Sequence, residues 1–310
     1  MRSSILLFLT TWLMSGVLGS RITITKVTPS YWRATFSNPP FNLIDNTFLQ
    51  EFHSLIDDIE VDPEVKVIVF DSSVEDFFIA HYDILSPADI DVAGPAYWGN
   101  YTRLANLPVL TVAAIRGIVR GGGAEMAAAL DVRFGSKEKA IIGQPEVGLG
   151  AFPGGGGLRL LPGLVGRGRA LEIVIGADDF DADTAALYGC KLLDSQTSND
   201  SPVNAPRVKG INRAIPDDQF VDFVDKFARR VAGWDRYAIG HAKGIINQSG
   251  YPTVEEVFSD FLGFQAAVQQ GAVPARLKAM AEAGFQSNVT FEINWSNEEL
   301  CFVGPGPWDS

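Results

Sequence analysis

From Arg21 onward the apolar positions follow two rhythms. The β-rich runs at residues 22–27 and 31–36 read as strands. Phe48, Phe52, Leu55, Ile56 and Ile59 then fall at i, i+4, i+7, i+8 and i+11, one face of an amphipathic helix that stops near Pro63. Residues 65–70 (Val-Lys-Val-Ile-Val-Phe) and 109–115 follow as buried strands, 124–130 is helical in composition, and Val132-Arg133-Phe134 makes a short strand. Strands alternating with helices predict an α/β domain. Past Pro216 only helical stripes remain: Phe220, Phe223, Val224, Phe227 and Val231 form one, and Val254, Val257, Phe258 and Phe261 another. The pattern divides the chain into a leader over 1–19, an α/β core over 20–215 and a helical C-terminal region over 216–310.

The leader has its own logic. Arg2 precedes an apolar run over 5–18, interrupted by Ser15-Gly16, with the small-residue exit Val17-Leu18-Gly19-Ser20. This is the layout of a secretory signal peptide, and it is short of the ~20 apolar residues a stable membrane span needs. A misassigned start or a buried N-terminal helix is the alternative. Asn100, Asn199, Asn247, Asn288 and Asn294 each begin an N-x-S/T sequon, which would suit a secreted glycoprotein. Residues 190–210, rich in Ser, Asn, Asp and Pro and without apolar period, read as a loop, although structureless loops of about twenty residues are uncommon inside a compact domain.

Composition narrows the function classes. Of 310 residues, 25 are Lys or Arg and 37 are Asp or Glu, a net charge of −12, so the basic surface that tracks nucleic-acid phosphates is missing. Cys190 and Cys301 allow at most one intramolecular disulfide and no four-cysteine zinc site; no metal site is expected. The fold must rest on packing.

The most unusual local sequence is Gly121-Gly122-Gly123-Ala124-Glu125, directly after a buried strand and before a helix. Glycines let the backbone approach a ligand closely, and the helix start aims N–H groups and a positive dipole end at an oxyanion. Neither a P-loop nor a Rossmann glycine spacing is present at this turn. Gly143-Gln144-Pro145-Glu146 lies one helix and one strand beyond Glu125, a return path that brings two carboxylates to one site. Upstream, Phe77-Phe78-Ile79-Ala80-His81-Tyr82-Asp83 follows another strand, where open α/β folds place ligands.

Residues 38–43 (Asn-Pro-Pro-Phe-Asn-Leu), 77–83, 114–125, 143–148 and 164–171, in that order, resemble the crotonase superfamily, the enoyl-CoA hydratase/isomerase family, over nearly all of residues 21–285. The resemblance implies an α/β spiral of repeated β-β-α units with a helical C-terminal oligomerisation region that drives trimers, often paired into hexamers. It implies an oxyanion hole from the backbone N–H groups of Tyr82 and Gly122, and catalytic glutamates at Glu125, orienting and activating water, and Glu146, exchanging a proton at the α-carbon. The ADP part of coenzyme A would lie against the loop of Ile79, Ala80, His81 and Tyr82, beside Gly121, with Lys243 as a basic contact or a solvated lysine. No cofactor is implied, because CoA is part of the substrate.

His81 departs from the family's F-x-A-G-x-D, which has glycine there. Either the position has ordinary backbone angles or the loop has shifted, and the histidine is expected to face ligand phosphates or solvent. His53 and His241 read as surface or interface residues, Tyr31, Trp32, Tyr97 and Trp98 as packing, and Asp83 as a carboxylate capping loop donors. The match is interrupted at 190–210, which is either a retained intron in the gene product or a true surface loop. Two glutamates favour an enoyl-CoA hydratase, or the reverse dehydratase, acting on 2-enoyl-CoA. A Δ3,Δ2-enoyl-CoA isomerase using Glu146 alone, and a non-catalytic secreted relative, are the alternatives. The leader and sequons point to the secretory pathway, whereas CoA chemistry points inside the cell.

Overall fold

The computed structural model describes residues 19–87, 90–187, 210–248 and 250–294, with the backbone alone over 90–97. An antiparallel hairpin of β1 (Ile22–Thr28) and β2 (Tyr31–Phe36) leads into α1 (Asn46–Val61), whose N-cap Asp45 accepts from Phe48 N–H at 2.8 Å. Three turns of one unit follow, each a longer strand, a short strand and a helix. They are β3 (Val67–Ser72), β4 (Phe77–Ile79) and α2 (Ile90–Asn106); β5 (Leu110–Ile115), β6 (Ile118–Arg120) and α3 (Gly122–Ala129); and β7 (Val132–Ser136), β8 (Ile141–Gly143) and α4 (Glu146–Leu149). The chain continues through α5 (Gly157–Val165), α6 (Arg167–Gly176), β9 (Asp179–Asp181) and α7 (Ala182–Leu187). After β10 (Arg213–Ile215) come helices α8 (Asp217–Ala232), α9 (Arg236–Asn247), α10 (Val254–Val268), α11 (Val273–Ala283) and α12 (Val289–Asn294).

Each turn of the spiral adds its longer strand to one sheet and its short strand to another. The first sheet runs β1-β2-β3-β5-β7-β10, parallel from β2 onward, and the second runs β4-β6-β8-β9, parallel except at β9. Central parallel strands are covered on both faces, which is why Val67-Ile68-Val69-Phe70 is continuously apolar and fully buried. On one face Phe36 packs between Phe48 of α1 and Phe78 of β4, with ring centroids 5.2 and 5.4 Å away. On the other, α8 lays Phe220, Val224, Ala228 and Val231 on Val67, Val69 and Val112, while Phe134 meets Phe223 and Phe227 edge-on at 5.0 Å each. Each fully buried Phe or Val contributes roughly 1.5–3 kcal/mol relative to an exposed one.

The apolar run of the leader, both cysteines and all of 190–210 except Gly210 lie outside the described residues. Among the described residues no helix is long and apolar enough to cross a membrane. The Asn100 sequon is corrected by its surroundings: the side chain is 1% exposed and its Oδ1 lies 2.9 Å from His53 Nδ1, so no glycan fits there. Asn288 is exposed, and Asn247 spends its amide on Ala105 O at 2.7 Å.

Candidate active site

Strands β4, β6 and β8 are parallel neighbours, so their C-terminal ends lie side by side and the turns that follow them converge. Main-chain bonds tie the three ends together: Arg120 N–H donates to Ala80 O at 3.2 Å, and Gly121 N–H to Gly143 O at 3.1 Å. The first turn is braced from behind. Ala80 N–H donates to Phe41 O at 3.0 Å, Ile44 N–H to His81 O at 3.0 Å and Asp83 N–H to Ile44 O at 3.1 Å. In this bridge the groups facing Ile44 belong to His81 and Asp83, so the N–H of Tyr82 lies on the opposite edge of its strand. Asn42, buried and left-handed (φ 54°), donates to Ser72 Oγ at 2.8 Å and Phe78 O at 3.1 Å, joining this brace to the ends of β3 and β4.

The second turn carries Gly121 at φ 48°, a conformation that favours glycine, and α3 starts at Gly122 with its positive dipole end at the cleft. A side chain at 121 would also bring its Cβ within 2.8 Å of Glu146 Oε1. Glu125, in the first turn of α3 and 3% exposed, accepts from Gly155 N–H at 2.6 Å and Gly157 N–H at 2.9 Å through Oε1. A Cβ at 155 would collide with Glu125 Oε2, which gives the run Gly154-Gly155-Gly156-Gly157 a purpose. Glu146 opens α4, is 6% exposed, and its Oε2 has no hydrogen-bond partner among the described residues.

Burial governs both carboxyls. It pushes Glu125 up to about 7, against the pull of the Gly157 and Gly155 N–H groups, and the charge of Asp260 adds to the rise. Glu146 is raised well above the ordinary glutamate value, first by burial and then by the negative charge of Glu125, and no side-chain donor offsets this. Both carboxyls are thus held above the ordinary glutamate range, and the two backbone N–H donors on Glu125 favour its carboxylate form.

Both glutamates, Tyr82, Gly121, Gly122 and His81 line one cleft of about 530 Å³, counted to its open mouth. Its other walls are apolar, with Trp98 from α2, Leu149 from α4, Phe261 and Phe264 from α10, and Phe285 after α11. These wall residues give no sign in the sequence, because an apolar side chain facing a cleft has the same period as one facing the core. Trp98 packs, as expected, but it also borders the cleft.

Three expectations need correction. Ile79 and Ala80 are buried beneath the first turn as packing residues and do not line the cleft. Lys243 is 7% exposed, and its ammonium is consumed by Leu104 O at 2.6 Å, Val109 O at 2.9 Å and Asp131 at 2.7 Å, so it is a structural anchor and no phosphate contact. His81 faces neither phosphate nor solvent: it is 4% exposed, stacked on Phe285 at 4.7 Å between ring centroids, and bonded through both ring nitrogens. It is not among the residues with left-handed φ, so histidine stands there without backbone strain. Asp83 does cap its loop, accepting from Ser86 N–H at 2.9 Å.

The profile of the enoyl-CoA hydratase/isomerase family matches residues 30–193. A short-chain-enoyl-CoA hydratase of Clostridium acetobutylicum is 36% identical over 153 residues, 48% of this chain and 58% of the relative, so little more than half of that relative is matched. A crotonyl-CoA hydratase of Syntrophomonas wolfei is 26% identical over 223 residues, covering 70% of this chain and 78% of its own. The crystal structure of a candidate enoyl-CoA hydratase from Streptomyces avermitilis aligns with a TM-score of 0.79 and 33% identity, over 92% of this chain and 97% of the other. With five motifs in order, a spiral of β-β-α turns and the family profile over more than half its length, this chain belongs to the enoyl-CoA hydratase/isomerase family of the crotonase superfamily.

Proposed function

We propose that the protein hydrates 2-enoyl-CoA thioesters, or dehydrates the corresponding 3-hydroxyacyl-CoA. The observation that carries this reading is the pair of buried carboxyls, Glu125 held by two backbone N–H donors and Glu146 beside it, on one cleft with the turns of Tyr82 and Gly122. The thioester oxygen accepts from the N–H groups of Tyr82 and Gly122, each donor contributing roughly 3–4 kcal/mol once charge develops there. Glu125 takes a proton from water as the oxygen bonds to the β-carbon, and the π electrons move onto the thioester as an enolate. Glu146 then delivers its proton to the α-carbon. One proton is gained at Glu125 and one lost at Glu146, and exchange with solvent restores the pair. Coenzyme A enters as part of the substrate, and no cofactor takes part in these steps. The apolar wall of Trp98, Phe261 and Phe264 suits the acyl chain. Assembly into trimers or hexamers through the helical C-terminal region belongs to the same reading.

The test is hydration of crotonyl-CoA, followed by loss of the conjugated thioester absorbance. Glu125→Gln and Glu146→Gln should each lower kcat by about 10³-fold, within the range of a lost acid or base, with circular dichroism unchanged. Full activity of Glu125→Gln on a 3-enoyl-CoA would transfer the assignment to an isomerase working through Glu146 alone. Absence of thioester binding by the wild type would favour a non-catalytic relative.

A further inference from the structure

The two turns that border the cleft are both tied to one short helix near the C-terminus. His81 directly precedes Tyr82, and each of its ring nitrogens faces an acceptor: Nδ1 lies 2.8 Å from Tyr82 O, and Nε2 lies 3.2 Å from Glu292 Oε2 on α12. Both ring nitrogens thus face acceptors, and the orientation of the ring is fixed from two sides. Glu292 anchors the outer end of this link. It is fully buried, and its other oxygen accepts from Gln286 N–H at 2.6 Å. With both nitrogens engaged, His81 is in no position to act as a general base.

The second tie starts one residue before the glycine turn. Arg120 ends β6, is 1% exposed, and grips Asp179 with two bonds of 2.9 and 2.6 Å. The same guanidinium donates to Glu292 O at 2.5 Å and Ile293 O at 3.1 Å. A cation therefore sits at the carbonyl end of α12, where the helix dipole favours it. Phe285, stacked on His81, adds a wall of the cleft from the same stretch of chain.

We propose that His81 is a positioning residue of the oxyanion site, and that α12 sets the spacing of Tyr82 and Gly122 by holding His81 through Glu292 and Arg120 through its terminal carbonyls. The proposal rests on reading the cleft as an oxyanion site. It gives a role to the histidine that stands where the family resemblance has glycine.

Binding of 4-(dimethylamino)cinnamoyl-CoA tests it without turnover, because the absorption of this thioester moves to the red as its carbonyl is polarised. The double variant His81→Leu/Glu292→Leu replaces the buried pair by apolar side chains of similar volume, a change that buried ion pairs tolerate, so it should fold. It is expected to lose most of the red shift, and about 10- to 100-fold in kcat toward crotonyl-CoA with KM changed less than about threefold. His81→Gly, which strands Glu292, should behave alike and serves as the second variant. Glu292→Gln can accept from Gln286 N–H and donate to Nε2 of a neutral ring, and should restore most of both signals. A wild-type red shift in the double variant and in His81→Gly would overturn the proposal. No shift in the wild type would overturn it together with the oxyanion reading. A wild-type shift without hydration of crotonyl-CoA would remove only the hydratase assignment, and the variants' shifts would still decide the role of His81.

Discussion

Glu125 and Glu146 make the cleft sensitive to pH in a direction that follows from their burial. Raised carboxyl values mean that the folded chain holds protons which the unfolded chain releases. The stabilisation from the neutral pair is thus complete below the ordinary glutamate value of 4.5 and is lost as pH climbs through about 7. Urea unfolding should show the wild type losing on the order of 2 kcal/mol between about pH 5 and about pH 8 relative to Glu125→Gln, whose residue 125 has no proton to lose. The same ionisation should give kcat/KM for crotonyl-CoA an acid limb near pH 7, and a limb near 4 would place Glu125 in water. Gly155→Ala offers a steric check of the same carboxylate. Its Cβ must displace Glu125 Oε2, so kcat should fall by about 10²-fold while unfolding shows a loss of about 1–3 kcal/mol. Normal turnover in Gly155→Ala would mean that the position of this carboxylate is immaterial.

Among the elements, Asn42 shows how a loop in front of α1 controls a turn far along the chain. Its amide holds the ends of β3 and β4, and its left-handed backbone suits asparagine and strains alanine. Asn42→Ala should lower stability by about 2–3 kcal/mol in denaturant unfolding and reduce kcat more than it raises KM, since the turn of Tyr82 loses its brace. The sequence reveals such elements unevenly. The strand at 67–72 is legible because buried parallel strands need an unbroken apolar run, here Val67-Ile68-Val69-Phe70, that at 31–36 because it is rich in aromatic residues, and α1 because its stripe extends over three turns. Strands β4, β6, β8 and β9 have three residues each, too few for any period, and exist through pairing with one another. The turns carrying Tyr82, Gly122, Glu125 and Glu146 stand out because their chemistry is contiguous in the chain. The link of His81 to Glu292 spans 211 positions, and the burial of Lys243 depends on one carbonyl of α2 and one just before β5, so neither has a local signature.

Among the described residues, the outer side of α9 forms a surface that the interior does not explain. Helix α9 turns Lys243 inward, yet Tyr237, His241 and Ile245 follow at i, i+4 and i+8 on its outer side, with Tyr237 77% and Ile245 56% exposed. Ile246 is 68% exposed and Trp234, just before the helix, 51%. Apolar residues gathered in this way mark a surface that prefers cover, and the trimeric assembly proposed above provides a second copy to supply it. The net charge of −12 per chain opposes that association, so screening should favour it. Light scattering in about 0.15 M salt should give three or six times the 33.6 kDa of one chain, and dilution into low salt should shift the distribution downward. Tyr237→Asp/Ile246→Asp, which buries two charges in the contact, should leave single chains. A wild type that stays at 33.6 kDa in screened solution would show that this surface meets water in the working protein.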